Sequence, residues 1–169
     1  FSQRTAGAAA ARHLIERGAT RLGFIGAMLS SDYRAGDRRA GFMAAAAECG
    51  FAPPAEVSVP EQATAGGGAK ALSQLMDAHP DVDAVLCSND VMALGAIFEA
   101  HRHGWQVPQR LKLCGCGDID FAAATAPALT TMRAIGVKIA EVLLQRFAGV
   151  EATETVFDLG FELVVRGST

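Results

Sequence analysis

Ala84-Val-Leu-Cys-Ser-Asn-Asp-Val-Met-Ala-Leu-Gly95 holds the start of a βα unit in one short stretch. Ala84 to Cys87 is a short apolar run of the kind buried on both faces of a parallel sheet. Ser88-Asn89-Asp90 then interrupts it with three polar residues, and either Ser88 or Asn89 can cap a helix by accepting a hydrogen bond from its first turn. The spacing predicts that helix over Asp90 to His103, stopped at Gly104.

The same alternation extends in both directions. Upstream, Ala6 to Arg17 has helical spacing and stops at Gly18, Arg21 to Gly26 is an apolar run bounded by glycines, and Arg34 to Cys49 is a second helix ended by Gly50. A short strand follows at Val57 to Val59, then a helix from Ala65 to Ala78. Downstream, strands are predicted at Leu111 to Gly115 and Leu129 to Met132, with one or two helical turns between Asp118 and Ala126. A helix is predicted from Ala134 to Phe147 and extended segments from Val156 to Val165, broken at Gly160. Strands alternating with helices predict an α/β fold, a parallel sheet flanked by helices on both faces.

Composition narrows the function. The 169 residues are 50% hydrophobic and 20% charged, so the chain can bury a core and is not disordered. Its apolar runs, such as Ala6–Ala11 and Met43–Ala47, fall far short of the roughly 20 residues that cross a bilayer, so no membrane association is expected. A net charge of −3 with interspersed signs offers no basic face for nucleic-acid phosphates. The four cysteines, Cys49, Cys87, Cys114 and Cys116, sit in apolar stretches without metal-ligand spacing and read as small buried hydrophobes in a reducing cytoplasm. Phe1 opens the chain without an initiator Met or a signal peptide, and a helical pattern follows almost at once. The expectation is an excised piece of a longer protein.

In parallel α/β sheets, ligands bind beyond the carboxyl ends of the strands. This rule selects the loops Ala27–Tyr33, Pro60–Thr64, Ser88–Asn89 and Cys116–Asp120. Asn89 offers an amide that is both donor and acceptor. Arg34, Arg38 and Arg39 crowd the start of a helix, where the macrodipole disfavours cations unless they meet an anion or a polyol. Asp118 and Asp120 follow two glycines that allow close backbone approach. Neither G-x-G-x-x-G, G-x-x-x-x-G-K-[ST] nor G-x-S-x-G occurs, and the histidines (His13, His79, His101, His103) fall on helices or helix ends. No catalytic residue, metal site or cofactor is therefore predicted.

Taken together, His13-Leu-Ile-Glu-Arg-Gly18, Arg21-Leu-Gly-Phe-Ile-Gly26, Arg38-Arg-Ala-Gly-Phe42, Ser88-Asn-Asp-Val-Met-Ala-Leu-Gly95, Gly104-Trp-Gln-Val-Pro108, Pro127-Ala-Leu-Thr-Thr131 and Arg166-Gly-Ser-Thr169 form an ordered series. In it the chain resembles the lac repressor/galactose repressor family of bacterial transcription regulators. The resemblance implies a type I periplasmic-binding-protein-like fold, mostly its C-terminal subdomain. Residues 1–132 would form that subdomain, 133–158 a piece of the other subdomain, and 159–169 a returning segment. It further implies a cytoplasmic homodimer that binds a small effector (a sugar, sugar acid or sugar phosphate) and touches DNA only through an N-terminal helix-turn-helix outside this chain. The 133–158 helix would pack on a neighbour or exchange between chains.

By motif, Arg38 and Asn89 correspond to effector contacts. The family's Gly-Tyr/Phe-Asp-Asp turn reads Gly115-Cys-Gly-Asp118 here, so its effector-binding Asp falls on Gly117 and Asp118 matches the second acid. With Arg34 beside Arg38, this turn looks similar to the gluconate-operon repressors. A missing carboxylate and an added arginine suit an acidic effector of the gluconate class. Two rivals remain in view. A periplasmic sugar-binding protein of the same fold is opposed by four unpaired cysteines. A small α/β enzyme using Asp118 or a cysteine is opposed by the lack of any base at working distance in sequence.

Overall fold

Leu22–Ala27 (β1) is buried along its whole length, and every neighbouring element is arranged around it. The computed structural model describes residues 2–28, 32–134, 144, 147 and 160–169. Ala55–Val59 (β2) lies on one side of β1, and Ala84–Cys87 (β3) on the other, both parallel to it. Lys112–Cys116 (β4) and Thr130–Ala134 (β5) continue the parallel sheet, and Phe161–Val164 (β6) closes it antiparallel to β5. The strand order is β2-β1-β3-β4-β5-β6. Because the chain moves from β1 to β2 on one side and then crosses to β3 on the other, the carboxyl ends of β1 and β3 flank a topological switch point.

Among the described residues, four helices cover the two faces: Gln3–Glu16 (α1), Tyr33–Glu48 (α2), Ala65–Ala78 (α3) and Asp90–Arg102 (α4). Each starts on a side-chain cap. Ser2, Asp32, Thr64 and Asn89 each accept from a backbone N–H of the first turn. The α1 and α2 helices pack on one face of the sheet, over Leu22, Phe24, Leu86, Cys114 and Met132. The α3 and α4 helices pack on the other, over Ile25, Val85, Cys87 and Leu113. Strand residues thus alternate between the two cores, as the period of two requires.

The expected elements are present with small shifts. Ser2 starts α1 at Gln3, ahead of the apolar pattern at Ala6. The region expected to be one or two helical turns holds a single 3-10 turn, Asp120–Ala123. β5 runs through Arg133 to Ala134, so Ala134 ends a strand instead of opening a helix. The rest of the segment assigned to 133–158 lies outside the described residues, apart from helical positions at Leu144 and Phe147. Two expectations about single residues need correction. Cys49 is exposed at the end of α2, unlike the buried Cys87, Cys114 and Cys116. His13, expected at a surface or helix end, sits in the last turn of α1 but is buried, within 2.8 Å of Thr169 Oγ1.

Candidate functional site

The carboxyl edge of the sheet gathers the loops after β1, β3 and β4, together with the first turns of α2 and α4. Arg38 lies in the second turn of α2 and is only 7% exposed. One of its terminal nitrogens donates to Gln3 Oε1 on α1, while Nε has no hydrogen-bond partner. Among the described residues no carboxylate pairs with it. A buried guanidinium in this state carries a desolvation cost that a hydrogen-bonding anion would offset. Arg34 stands one turn earlier on the same helical face, exposed, with only a 4.0 Å approach to Asp32.

The arginine cluster read from the sequence therefore divides. Arg39 turns away to β2, where it donates twice to the Glu56 carboxylate at 2.6 Å. Arg34 and Arg38 instead bear on Cys116 at the end of β4. Burial pushes the Cys116 thiol pKa up and nearby Asp90 adds to this, while the charges of Arg38 and Arg34 pull it down.

Asn89 is half-buried and caps α4 through Oδ1, which accepts from Met92 N–H at 3.0 Å. Its amide nitrogen has no partner among the described residues, so capping and ligand donation are compatible. Asp90, next in sequence, is nearly inaccessible. Its carboxylate accepts from Thr131 Oγ1 at 2.5 Å and from Ile119 N–H at 3.0 Å. Burial pushes its pKa up against these hydrogen bonds. A Cβ at Gly115 would come within 2.2 Å of Asp90 Oδ1, which explains the glycine there.

Gly117 has φ of +137°, a backbone conformation closed to L side chains. An aspartate at this position would require a different loop. Asp118 has φ of +52° and a side chain only 8% exposed. Its Oδ2 accepts from Arg133 Nε at 2.5 Å, and its Oδ1 lies 2.7 Å from Arg166 as an ion pair without hydrogen-bond geometry. Burial opposes its ionisation, but the Arg166 and Arg133 guanidiniums outweigh that and hold its pKa below the ordinary aspartate value.

The structure thus brings Arg34, Arg38 and Asn89 to one edge with unfilled hydrogen-bonding capacity. Asp118 is at the same edge, but its carboxylate is already committed. Sequence reasoning missed Asp90, Thr131, Arg133 and Arg166. The available signal was the placement of polar residues at the ends of apolar strands and at the start of an apolar helix.

Comparisons with known proteins agree with this architecture. Residues 11–169 match the family described as "Periplasmic binding protein-like domain". The chain is 40% identical to the HTH-type transcriptional regulator GntR of Pseudomonas aeruginosa, across 100% of this chain and 50% of that protein. It is 33% identical to the HTH-type transcriptional repressor CytR of Escherichia coli K12, across 98% of this chain and 49% of that protein. The chain spans about half the length of these curated relatives. Among solved structures, the transcription regulator GntR from Chromobacterium violaceum superposes with a TM-score of 0.90 at 39% identity, covering 99% of this chain and 63% of that one. A PurR family transcriptional regulator from Vibrio parahaemolyticus gives 0.88 at 28% identity, covering 99% and 62%. With the sheet order and this family match agreeing, the chain belongs to the periplasmic binding protein-like domain family, and it is similar to the core of LacI-family transcription regulators.

Proposed function

We propose that this chain is the effector-binding and dimerisation part of a cytoplasmic transcription repressor, with a small sugar acid of the gluconate class as effector and no enzymatic activity. One observation carries the reading: Arg38 is buried at this edge with an unpartnered Nε and, among the described residues, no paired carboxylate. Arg34 adds a second cation to the same face, and Asn89 an amide donor for a hydroxyl. Of the acids at this edge, Asp118 is paired with two arginines, Asp90 is buried beneath the loop, and Asp32 approaches exposed Arg34 only at 4.0 Å. In this reading Arg38, Arg34 and Asn89 make the direct contacts.

Effector binding would shift a two-subdomain core between states, and a homodimer would pass that shift to an N-terminal helix-turn-helix and its palindromic operator. A groove of about 420 Å3 lined by Leu94, Ile97, Phe98 and Phe121 is the surface proposed for the dimer contact. Phe98 is 55% exposed there and adds apolar surface to the groove.

Thermal unfolding of the full-length protein against gluconate, a neutral hexose, a sugar phosphate and a nucleoside tests the reading. Gluconate at 100 times its Kd should add about 2.7 kcal/mol of stability, and Arg38→Ala should abolish the gain. Stabilisation by the neutral hexose or the nucleoside alone would overturn the acidic-effector assignment.

A further inference from the structure

Asp118 touches three separate stretches of chain. It sits in the loop after β4, takes Arg133 from the carboxyl end of β5, and takes Arg166 from just beyond β6. Both arginines are held in turn. Arg166 donates through its other terminal nitrogen to Leu129 O at 2.8 Å, and its backbone N–H donates to Thr130 Oγ1 at 2.8 Å. Arg133 also approaches Glu162 on β6 at 3.5 Å.

Beneath this cluster, Asp90 fixes the same loop from the other side. Its carboxylate accepts from Ile119 N–H and from Thr131 Oγ1, and Asp118 N–H lies 3.3 Å from that same Thr131 oxygen. The loop beside Arg38 and Asn89 is therefore bonded to β5 at two levels: by the Asp90–Thr131 pair inside, and by the Asp118 ion pairs at the rim. β5 ends at Ala134 and β6 begins at Phe161, and those two residues are registered partners.

We infer that Asp118 is a positioning residue that locks the ligand-edge loop to the β5–β6 strand pair through Arg133 and Arg166, so that the loop and the strand pair move as one body. The inference rests on the proposed function for its consequence: a ligand settling on Arg38 and Asn89 would be felt at β5 and β6. Its physical basis is separate. A carboxylate shared by two guanidiniums, largely shielded from solvent, is a charge-assisted junction stronger than an exposed pair. Asp118 is thereby reassigned from effector contact to junction.

The test uses the full-length protein with Asp118→Asn, which keeps shape and removes charge. Amide hydrogen exchange without effector should accelerate at least tenfold in Gly117–Ile119 and in Phe161–Val164 together, leaving Ala55–Val59 unchanged. Acceleration confined to Gly117–Ile119 would overturn the inference. Arg133→Gln, at a half-exposed position that tolerates substitution, should give the same paired pattern more weakly, and serves if the first variant does not fold.

With gluconate as probe, Asp118→Asn should keep its affinity within threefold while the effect of gluconate on operator affinity shrinks at least fivefold. Loss of gluconate binding equal to that of Arg38→Ala would instead make Asp118 a direct contact and defeat the inference. Should gluconate fail to bind the wild-type protein, the proposed effector is wrong, and the exchange pattern still decides the junction.

Discussion

The two helical layers of this protein share one packing device and differ in what they bury. In the α1–α2 layer, a Cβ at Gly7 would come within 1.9 Å of Arg38 O, and one at Gly41 within 1.8 Å of Arg4 O. In the α3–α4 layer, a Cβ at Gly68 would meet Met92 O at 2.1 Å, and one at Gly95 would meet Ala65 O at 1.8 Å. Each pair of helices therefore crosses backbone to backbone at reciprocal glycines. The layers part company in their buried charges. Glu99 in α4 is satisfied three times over, by Ser73 Oγ, Arg102 and His103 at 2.5, 2.7 and 3.0 Å. Arg38 in α2 has one neutral partner and an idle Nε. The buried charge of the α3–α4 layer is fully met, whereas that of the α1–α2 layer retains an unmet requirement at the carboxyl edge of the sheet.

The shared device should give the largest effect when broken. Gly95→Ala and Gly7→Ala each force a Cβ into a backbone carbonyl, and each should cost about 3 kcal/mol in a urea unfolding series. Gly66→Ala is the control, because nothing lies within 4 Å of its Cβ position. It should raise stability by about 0.5–1 kcal/mol through helix propensity. Equal effects at Gly66 and Gly95 would show that the close crossing is not what the glycine supplies.

Core truncation in the α3–α4 layer comes next. Leu75 is fully buried against β1, and Leu75→Ala should cost about 2–4 kcal/mol. Substitution in the other layer should act with the opposite sign. Arg38→Met keeps the volume and removes an under-satisfied charge, so the ligand-free protein should gain about 1 kcal/mol while losing its gluconate-induced shift. If Arg38→Met destabilised the free protein as much as Leu75→Ala, the contrast between the layers would fail.

Much of this contrast was legible in the sequence, because the physics that carries it is local. Four apolar residues followed by Ser88-Asn89-Asp90 had only one economical reading, and α3 and β3 fall at their expected bounds of Ala65–Ala78 and Ala84–Cys87. Arg38 and Asn89 were expected at the carboxyl edge of the sheet, and both are there. What was not legible depends on partners distant in sequence. Arg39 looked equivalent to Arg38 until β2 presented Glu56 to it. Asp118 looked free until Arg133 and Arg166 arrived from β5 and from beyond β6. His13 looked peripheral until Thr169 returned to cover it. A helical or strand period predicts which face a residue occupies, but not which residue from a later crossing will meet it there.

His13 also provides a smaller test on the α1–α2 side. Burial pushes the imidazole pKa below its ordinary 6.5, assisted by Arg17 and opposed by Glu16. The unfolded chain thus takes up the proton more readily than the folded one, so this contribution to stability is complete above pH 6.5 and declines as the pH falls below it. Replacing His13 by Gln should flatten the decline of the unfolding midpoint between about pH 7.5 and pH 5.5. An unchanged slope would assign the decline to other groups. The smallest perturbation is chemical. In the native protein a thiol reagent should modify Cys49 quickly, with Cys87, Cys114 and Cys116 reacting only on unfolding.

The registered pair Ala134 and Phe161 has a practical meaning for protein engineering. Two antiparallel neighbours whose ends face each other need only a tight hairpin to join them, and a turn of about two residues such as Asn-Gly suits that geometry. Such a closure would leave the pairing of β5 with β6 as it stands.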